Sequence, residues 1–378
     1  MKRLSMFIAM LLTCSLLTGC WDKVEIEQRL FVLALGVDKI EDEEKSLPKD
    51  RYLVSFVSPI VGALQEGGGE STYHTYKTTG EIFTICLNNL YSRFAKRLSF
   101  EHTRTIVFGE ELLKEEGIFK EVLDAMGRSH ELHKSMYVFV VPGRAEEVFE
   151  IKPKYEKLLA MYVTGIADNQ RYSDRISKQA AYEMYNELLN SNGNTLIPRL
   201  IPSKDEVTIK GVGIIKNYKL IGYLDGEEYL PVNWLRNKAN SGLIEIYHKG
   251  IAVPFRYNEF KTNIKLDRVQ DTKIQLTYSM ETEGSVLEYI WDKDMLEEEV
   301  ILTLEKELEK KIEEETNRAI KRFKEEFGVD LIGVRDYLSK YQPDIYEAVE
   351  KDYDIRFVRD IEINVTADVK VRRVGIIE

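Results

Sequence analysis

Cysteine is scarce in this chain, with three among 378 residues, and no disulfide within the mature chain is expected. Cys14 lies in an N-terminal segment that we expect to be removed, and Cys20 is the predicted attachment site of a lipid. Cys86 then remains alone in an apolar run, and it is predicted to be a small buried side chain. The fold should therefore be stabilised by its hydrophobic core and not by covalent cross-links.

Long apolar runs are also lacking, because no stretch beyond residue 20 has the length of a transmembrane helix. The run Leu4–Leu16 follows Lys2 and Arg3 and is itself too short to span a bilayer stably. A basic start, a short apolar core and small residues before Cys20 predict a secretory signal peptide. We expect residues 1–19 to be removed and the folded body to carry no membrane span.

The four residues Leu17-Thr18-Gly19-Cys20 make the signal that of a bacterial lipoprotein. In such a signal the Cys20 thiol receives diacylglycerol, cleavage makes Cys20 the N-terminus, and a further acyl chain such as palmitate is added. The mature chain is therefore predicted to be held at the outer face of a cell membrane by lipid on Cys20.

Positive charge is in deficit, with 53 basic against 64 acidic residues and a formal charge of −11. Removal of residues 1–19 takes away Lys2 and Arg3 and leaves −13 on the mature chain. This balance argues against nucleic acid as a partner and against contact with anionic lipid through a basic face. Membrane association should rest on the acyl anchor and on protein partners.

Recognisable catalytic patterns are lacking too, since there is no Gly-x-Ser-x-Gly and no His-Glu-x-x-His. His130 and His133 could share a helix face, but with five histidines in the chain they are predicted to be a solvated pair and not a metal site. Ser46 and Lys49 have a Ser-x-x-Lys spacing, but it contains a proline and lies in a charged loop. We predict no catalysis there.

Two glycine-rich stretches and one charged cluster have structural explanations that we favour over chemistry. Gly67–Gly69 is predicted to be a surface loop, and Gly211–Gly213 to be strand glycines, because neither has the helix that phosphate binding requires. Glu101, His102 and Arg104 are predicted to form an ion-pair cluster at the start of a strand. We therefore predict no catalytic, cofactor-binding or metal-binding residues, and we expect that the protein is not an enzyme.

The mature chain is long enough for two domains. Turn-forming residues and two prolines between Asn190 and Glu206 predict a boundary, which we place between an N-terminal domain of residues 20–197 and a C-terminal domain of residues 198–378. Alternating strands and helices indicate an α/β N-terminal part. The C-terminal part should be a largely antiparallel sheet with a long charged helix, so the whole is a multi-domain mixed α/β or α+β protein.

Four elements are predicted as follows. Apolar spacing predicts a helix over 81–98, and a further helix is expected around 174–191. Asp294 and Glu297 have the spacing of a capping box for the long helix, which should end at Phe327 before Gly328. We expect this helix to pack along its own sheet with a solvated outer face; the alternative is that part of it projects to a partner. The strand Asp360–Val371 should complete the sheet.

Several blocks of sequence follow one another over more than 350 residues, and in this order they are similar to blocks of the Ger(x)C family of spore germination proteins. The blocks are Gly19-Cys20-Trp21-Asp22, Leu35-Gly36-Val37-Asp38, Arg97–Arg104 followed by Val107–Leu112, Lys210–Lys216 with Lys219–Leu224, Trp234-Leu235, and Pro343–Tyr346.

The resemblance implies the C subunit of a GerA-type germinant receptor, a non-enzymatic lipoprotein on the outer face of the spore inner membrane. It implies integral membrane A and B subunits as partners and a need for this subunit in germination triggered by small nutrients. The lipidation site Cys20 is the one functional residue that it supplies. The alternative is a solute-binding lipoprotein that delivers a small nutrient to a membrane transporter, for which two similar doubly wound lobes would be expected.

Overall fold

The computed structural model describes residues 25–60, 62, 72–270, 273–289 and 298–374. The predictions for Cys20, the Gly67–Gly69 loop and the Asp294 cap lie outside these residues. The strands are β1 Arg29–Phe31, β2 Ala34–Lys39, β3 Tyr52–Pro59, β4 Tyr73–Gly80, β5 Arg97–Ser99, β6 Thr105–Gly109, β7 Tyr137–Val141, β8 Thr195–Pro202, β9 Val207–Lys216, β10 Lys219–Leu224, β11 Gly242–His248, β12 Ile251–Gln270, β13 Lys273–Val286 and β14 Ile361–Val374. The α-helices are α1 Phe83–Tyr91, α2 Glu110–Leu113, α3 Glu116–Arg128, α4 Ala145–Val148, α5 Leu159–Asp168, α6 Ala181–Asn190, α7 Gly226–Leu235, α8 Glu298–Arg322, α9 Val334–Tyr341, α10 Pro343–Val349 and α11 Tyr353–Arg359.

The larger sheet has eight strands in the order β10-β9-β8-β7-β6-β2-β3-β4. The four central strands β8, β7, β6 and β2 are parallel, and antiparallel strands flank them on both sides. Successive side chains of β6 point to opposite faces, so that Ile106 packs in the core under α3 and Val107 packs in the core under α5. Helices therefore cover both faces, as the α/β prediction requires.

The hairpin β9–β10 joins this sheet, and β9 is buried on both sides. Ile215 belongs to the core of the eight-stranded sheet, whereas Ile214 belongs to the core of the C-terminal part. Strand β8 contains residue 197, so the predicted boundary falls inside the sheet. The domain bounds 20–197 and 198–378 stay a prediction, and the two parts share strands β8 and β9, since Leu196 of β8 also belongs to the core of the C-terminal part.

Two predicted helices are shorter than expected, and tertiary contacts explain both differences. The helix predicted over 81–98 ends at Tyr91, because residues 97–99 form β5, which pairs in parallel with β1 and buries Leu98. The helix predicted over 174–191 begins at Ala181. Its expected first turn is held open by Asp174, whose buried carboxylate accepts the backbone N–H of Asn240.

The second sheet has the order β11-β12-β13-β14. Its first three strands are antiparallel, and β14 is parallel to β13. The prediction of a largely antiparallel C-terminal sheet with a long helix is confirmed. The two similar doubly wound lobes expected of a solute-binding lipoprotein are not the architecture of the residues that the structure describes.

Helix α8 packs along its own sheet, as predicted, and continues through a π-helical turn to Phe327, where Gly328 takes the left-handed conformation. An apolar stripe on this helix is buried at Leu304, Leu308 and Ile312. The stripe fixes which face of α8 meets the sheet, and the glutamates beside it are brought to the edge of β14.

Three of these glutamates accept hydrogen bonds from the backbone of β14, and we call them the glutamate ladder. Glu305 accepts the N–H of Val371 at 2.9 Å, Glu309 that of Val369 at 3.2 Å, and Glu313 that of Ala367 at 3.0 Å. Residues four apart on a helix rise about 6.0 Å, and alternate residues of a strand are about 6.6 Å apart. The two periods match closely enough for the ladder to satisfy the outward N–H groups of this edge strand. These side chains are therefore not part of a solvated face.

The glutamate ladder should contribute to stability. We expect Glu309→Ala to lower the free energy of unfolding by about 1–3 kcal/mol, because the amide of the fully buried Val369 loses its acceptor. Urea unfolding followed by circular dichroism measures the change. Glu314→Ala, on the exposed side of the same helix, is the matched control and should change stability by less than about 0.5 kcal/mol. Equal effects of the two substitutions would contradict the ladder.

Candidate functional site

Asp38 closes the block Leu35–Asp38 and lies at the carboxyl end of β2. Its carboxylate accepts the backbone N–H groups of Ala145 at 2.7 Å and Glu146 at 3.1 Å, at the beginning of α4. A Cβ on Gly109 would lie 2.0 Å from the Asp38 Oδ1 atom, so glycine is required there. Burial raises the Asp38 pKa to about 7, although the two N–H groups act in the opposite direction. The block that carries much of the resemblance therefore has a structural role in the fold.

The Asp38 carboxyl should make stability depend on pH. Its pKa is higher in the folded chain than the ordinary 3.8, so folding favours the protonated form. The free energy of unfolding should then fall as pH rises from about 4 to about 7. We expect the difference between the wild type and Asp38→Asn to follow this fall in urea titrations across that range. Asp205→Asn is an exposed control, and its free energy of unfolding should change with pH as that of the wild type does. The same pH dependence in Asp38→Asn and the wild type would contradict a raised pKa of Asp38.

A half-buried carboxylate joins the two parts of the molecule. Glu187 of α6 forms ion pairs with Arg236, which follows α7, and with Lys238, whose Nζ is 2.9 Å from Glu187 Oε1. Its other oxygen accepts the Thr195 hydroxyl at 2.6 Å and the Gln179 amide at 3.1 Å. Burial raises the pKa of Glu187, but the charges of Arg236 and Lys238 outweigh burial and lower it to about 2. Glu187 is thus ionised at every physiological pH.

A second buried network crosses the same junction. The Asp174 carboxylate accepts the Tyr257 hydroxyl at 2.8 Å, and that hydroxyl accepts the indole N–H of Trp234 at 3.2 Å. The backbone carbonyl of Asp174 accepts the side-chain amide of Asn233 at 3.0 Å. Burial raises the Asp174 pKa to about 6. The segment that precedes α6 is therefore tied to α7 and β12.

Asp330 organises the loop before α9. Its carboxylate accepts the backbone N–H groups of Ile332 at 3.1 Å and Gly333 at 3.2 Å, and the Tyr353 hydroxyl at 2.7 Å. Gly333 has φ +95°, a conformation that favours glycine. The loop is consequently held in one shape next to Arg236.

A cleft of about 620 Å³ lies between α6 and the α9–α10 region, with Glu187, Arg236 and Asp330 among its lining residues. A second cavity of about 610 Å³ shares Arg236, Gly333 and Asp336 with it. Within the described part of the chain no hydrogen-bond partner reaches Nδ2 of Asn194 or Nε of Arg335, both on residues that line the cleft. The cleft has the size and the polar lining for a small polar solute. It is the main candidate site of the described residues.

The ion pair in this cleft should be a stabilising interaction. We expect Arg236→Met to lower the free energy of unfolding by about 1–3 kcal/mol, because the half-buried Glu187 keeps its charge and loses a charged hydrogen-bond partner. Chemical denaturation at neutral pH measures the loss. Arg175→Met removes the exposed pair with Glu227 at the same junction and should cost less than about 1 kcal/mol. An effect of Arg236→Met no larger than that of Arg175→Met would contradict the role of this pair.

The residues that the sequence offered as candidates for metal binding or catalysis do not come together in one site. His130 and His133 are exposed in the turn after α3, and among the described residues no group of three metal-ligating side chains occurs. The Ser46 hydroxyl accepts a hydrogen bond from Thr79, whereas Lys49 pairs with Glu81, so the Ser-x-x-Lys spacing does not assemble a site.

Two structural interpretations from sequence are confirmed. Cys86 is fully buried, and burial raises its thiol pKa to about 12. Gly211 lies within β9 with φ +74°, where a Cβ would lie 2.0 Å from the carbonyl oxygen of Leu224. The cluster predicted for Glu101, His102 and Arg104 is wrong in its partners, because Glu101 forms its ion pair with Arg29 at 3.1 Å and the His102 ring contacts Phe31. No local sequence pattern marks Glu187, Arg236 or Asp174, because the partners that join them across the two parts are 49 to 83 residues distant.

Residues 22–202 match the spore germination protein N-terminal domain, and residues 210–375 match the spore germination B3/GerAC-like C-terminal domain. The chain therefore belongs to the Ger(x)C family of spore germination proteins. Among curated proteins of Bacillus subtilis (strain 168), it is 24% identical to spore germination protein YndF over 98% of this chain and 97% of the relative. Spore germination proteins KC and B3 are also 24% identical, over 98% and 94% of this chain and 95% and 94% of their own lengths.

The fold has a solved relative in the crystal structure of the GerBC protein. The TM-score is 0.59 at 19% sequence identity, over 89% of this chain and 96% of that chain. In the described part of the chain, no helix combines the length and the apolar character needed to cross a bilayer.

Proposed function

We propose that this protein is the lipid-anchored C subunit of a nutrient germinant receptor. The observation that carries the proposal is the match to both family domains in succession, from residue 22 to residue 375, with relatives that are spore germination proteins along nearly their whole length. The subunit is not an enzyme in this proposal. It is required for the spore to respond to small nutrients.

The proposed location is the outer face of the spore inner membrane. Diacylglycerol and an acyl chain on Cys20 hold the mature chain there, beside the integral membrane A and B subunits of the receptor. The lipoprotein signal supports this anchor, since the four residues that end in Cys20 follow a basic start and a short apolar core. The body then needs no membrane span of its own to remain with its partners.

Replacement of Cys20 tests the proposal. We expect Cys20→Ala to leave the chain unlipidated, to reduce its share in the membrane fraction several-fold, and to slow nutrient-triggered germination. The reason is that the sulfur atom of Cys20 receives the lipid, and alanine has no such atom. Fractionation, the mass of the N-terminal peptide and germination assays measure the three effects.

Cys14→Ala is the matched control, because it removes a thiol from the predicted signal and leaves the lipidation site intact. It should behave as the wild type. Recovery of Cys20→Ala in the membrane at the wild-type level in cells that lack the A and B subunits would refute the lipid anchor. A strain that lacks the gene for this protein should germinate slowly with at least one nutrient. Germination of that strain at the normal rate with every nutrient tested would refute the receptor role.

A further inference from the structure

We propose that one surface of this protein lies directly against anionic lipid headgroups. We call it the basic face and define it by Arg29 of β1, Arg93 and Lys96 of the turn after α1, Arg97 of β5, and Arg104 before β6. The inference rests on the proposed lipid anchor, and it adds the orientation of the body and the chemistry of the surface that meets the membrane.

The position of the first described residues sets the orientation. Glu25 is five residues beyond Cys20, so the two Cα atoms are at most about 18 Å apart even if the chain is fully extended. Strand β1 begins four residues later and pairs in parallel with β5. A lipid on Cys20 would therefore keep β1, β5 and the turn before β5 close to the headgroups.

The pairing of β1 with β5 places two like charges side by side. Arg29 lies directly opposite Arg97 in the parallel register, and neighbouring strands are about 4.8 Å apart. Like charges at such positions destabilise a sheet. Glu101 forms an ion pair with Arg29 at 3.1 Å, but within the described residues no ion pair is recorded for Arg97. An external anion would compensate the second guanidinium group.

Most of the charges in the neighbouring segment are positive. Within 91–104 the chain carries four basic residues and one acidic residue, although its total charge is −11. Lys96, Arg97 and Arg104 are exposed, and the Arg93 side chain donates to the carbonyl of Lys77 at 2.6 Å. The acidic neighbours are Glu101, already paired, the exposed Glu25 and Glu27 before β1, and Glu131 near Tyr91.

Two exposed apolar side chains accompany the basic face. Ile26 is 70% exposed and Tyr91 is 45% exposed, one just before β1 and the other at the end of α1. Apolar and aromatic side chains beside basic ones suit the boundary between headgroups and acyl chains, and each basic residue near anionic lipid adds to the attraction. The net negative charge of the chain led us to expect no such face. Net charge is a sum over the whole surface, however, and a local group of basic residues can differ from it.

Hydrogen–deuterium exchange on the lipidated chain tests the basic face. The chain is inserted into nanodiscs of phosphatidylcholine alone or of phosphatidylcholine with phosphatidylglycerol, and exchange is followed in peptides covering 25–31 and 91–104. We expect slower exchange of both peptides in the anionic discs and recovery at high salt. In Lys96→Glu/Arg97→Glu the protection should fall about tenfold or more.

Lys204→Glu/Lys351→Glu is the matched control, because it makes the same change in charge elsewhere. Lys204 follows the carboxyl end of β8, whereas Arg104 precedes the amino end of the parallel strand β6, so the two residues lie at opposite ends of the strands. The protection of peptides 25–31 and 91–104 in this control variant should equal that in the wild type. A thermal melt of each variant shows whether the fold is kept.

The remaining outcomes would overturn the proposal. Equal exchange in the two kinds of disc would refute the contact with anionic lipid, and an equal loss in the control variant would show a general charge effect. Protection that requires the A and B subunits and not anionic lipid would assign the basic face to a protein partner. The mass of the N-terminal peptide is read in the same samples, so that an unmodified Cys20, which refutes the anchor, is distinguished from failure of the basic face.

Discussion

The ionised, half-buried carboxylate of Glu187 is the constraint around which the two parts of the chain are arranged. Burial of a charge is costly unless opposite charges and hydrogen bonds accompany it. Here the cations come from Arg236 and Lys238 in the C-terminal part, and the neutral donors come from Thr195 and Gln179 in the N-terminal part. Each part supplies only some of the partners of the carboxylate. The full set of hydrogen bonds and ion pairs therefore forms only when the two parts are docked.

Strand β9 strengthens this docking, because its two faces belong to different cores. A displacement of one part against the other would disturb Ile214 on one side and Ile215 on the other. The Asp174–Tyr257–Trp234 network crosses the same junction. If the protein is a receptor subunit held at a membrane, as proposed, such a junction would pass a movement of one part to the other, and the cleft beside Arg236 lies where a solute could influence it.

Much of the fold could be predicted from the sequence because periodic patterns are local. The alternation of strands and helices and the end of the long helix before Gly328 follow from such patterns. The early end of α1 at Tyr91 could not be predicted, because it depends on pairing with β1 more than sixty residues away. The same holds for Glu187 and Asp174, whose roles depend on distant partners. Asp38 was recognised as part of a family block, but its capping of α4 requires the structure.

The glutamate ladder has a consequence for copies of this protein that stand close together. An edge strand with free N–H groups can recruit a strand from a neighbouring molecule, and the sheet then grows from one molecule into the next. The outward amides of β14 at Ala367, Val369 and Val371 are already bonded within the chain. Growth from this edge would first require α8 to detach and leave three carboxylates without their donors. Molecules concentrated on one membrane can therefore crowd together without polymerising through β14.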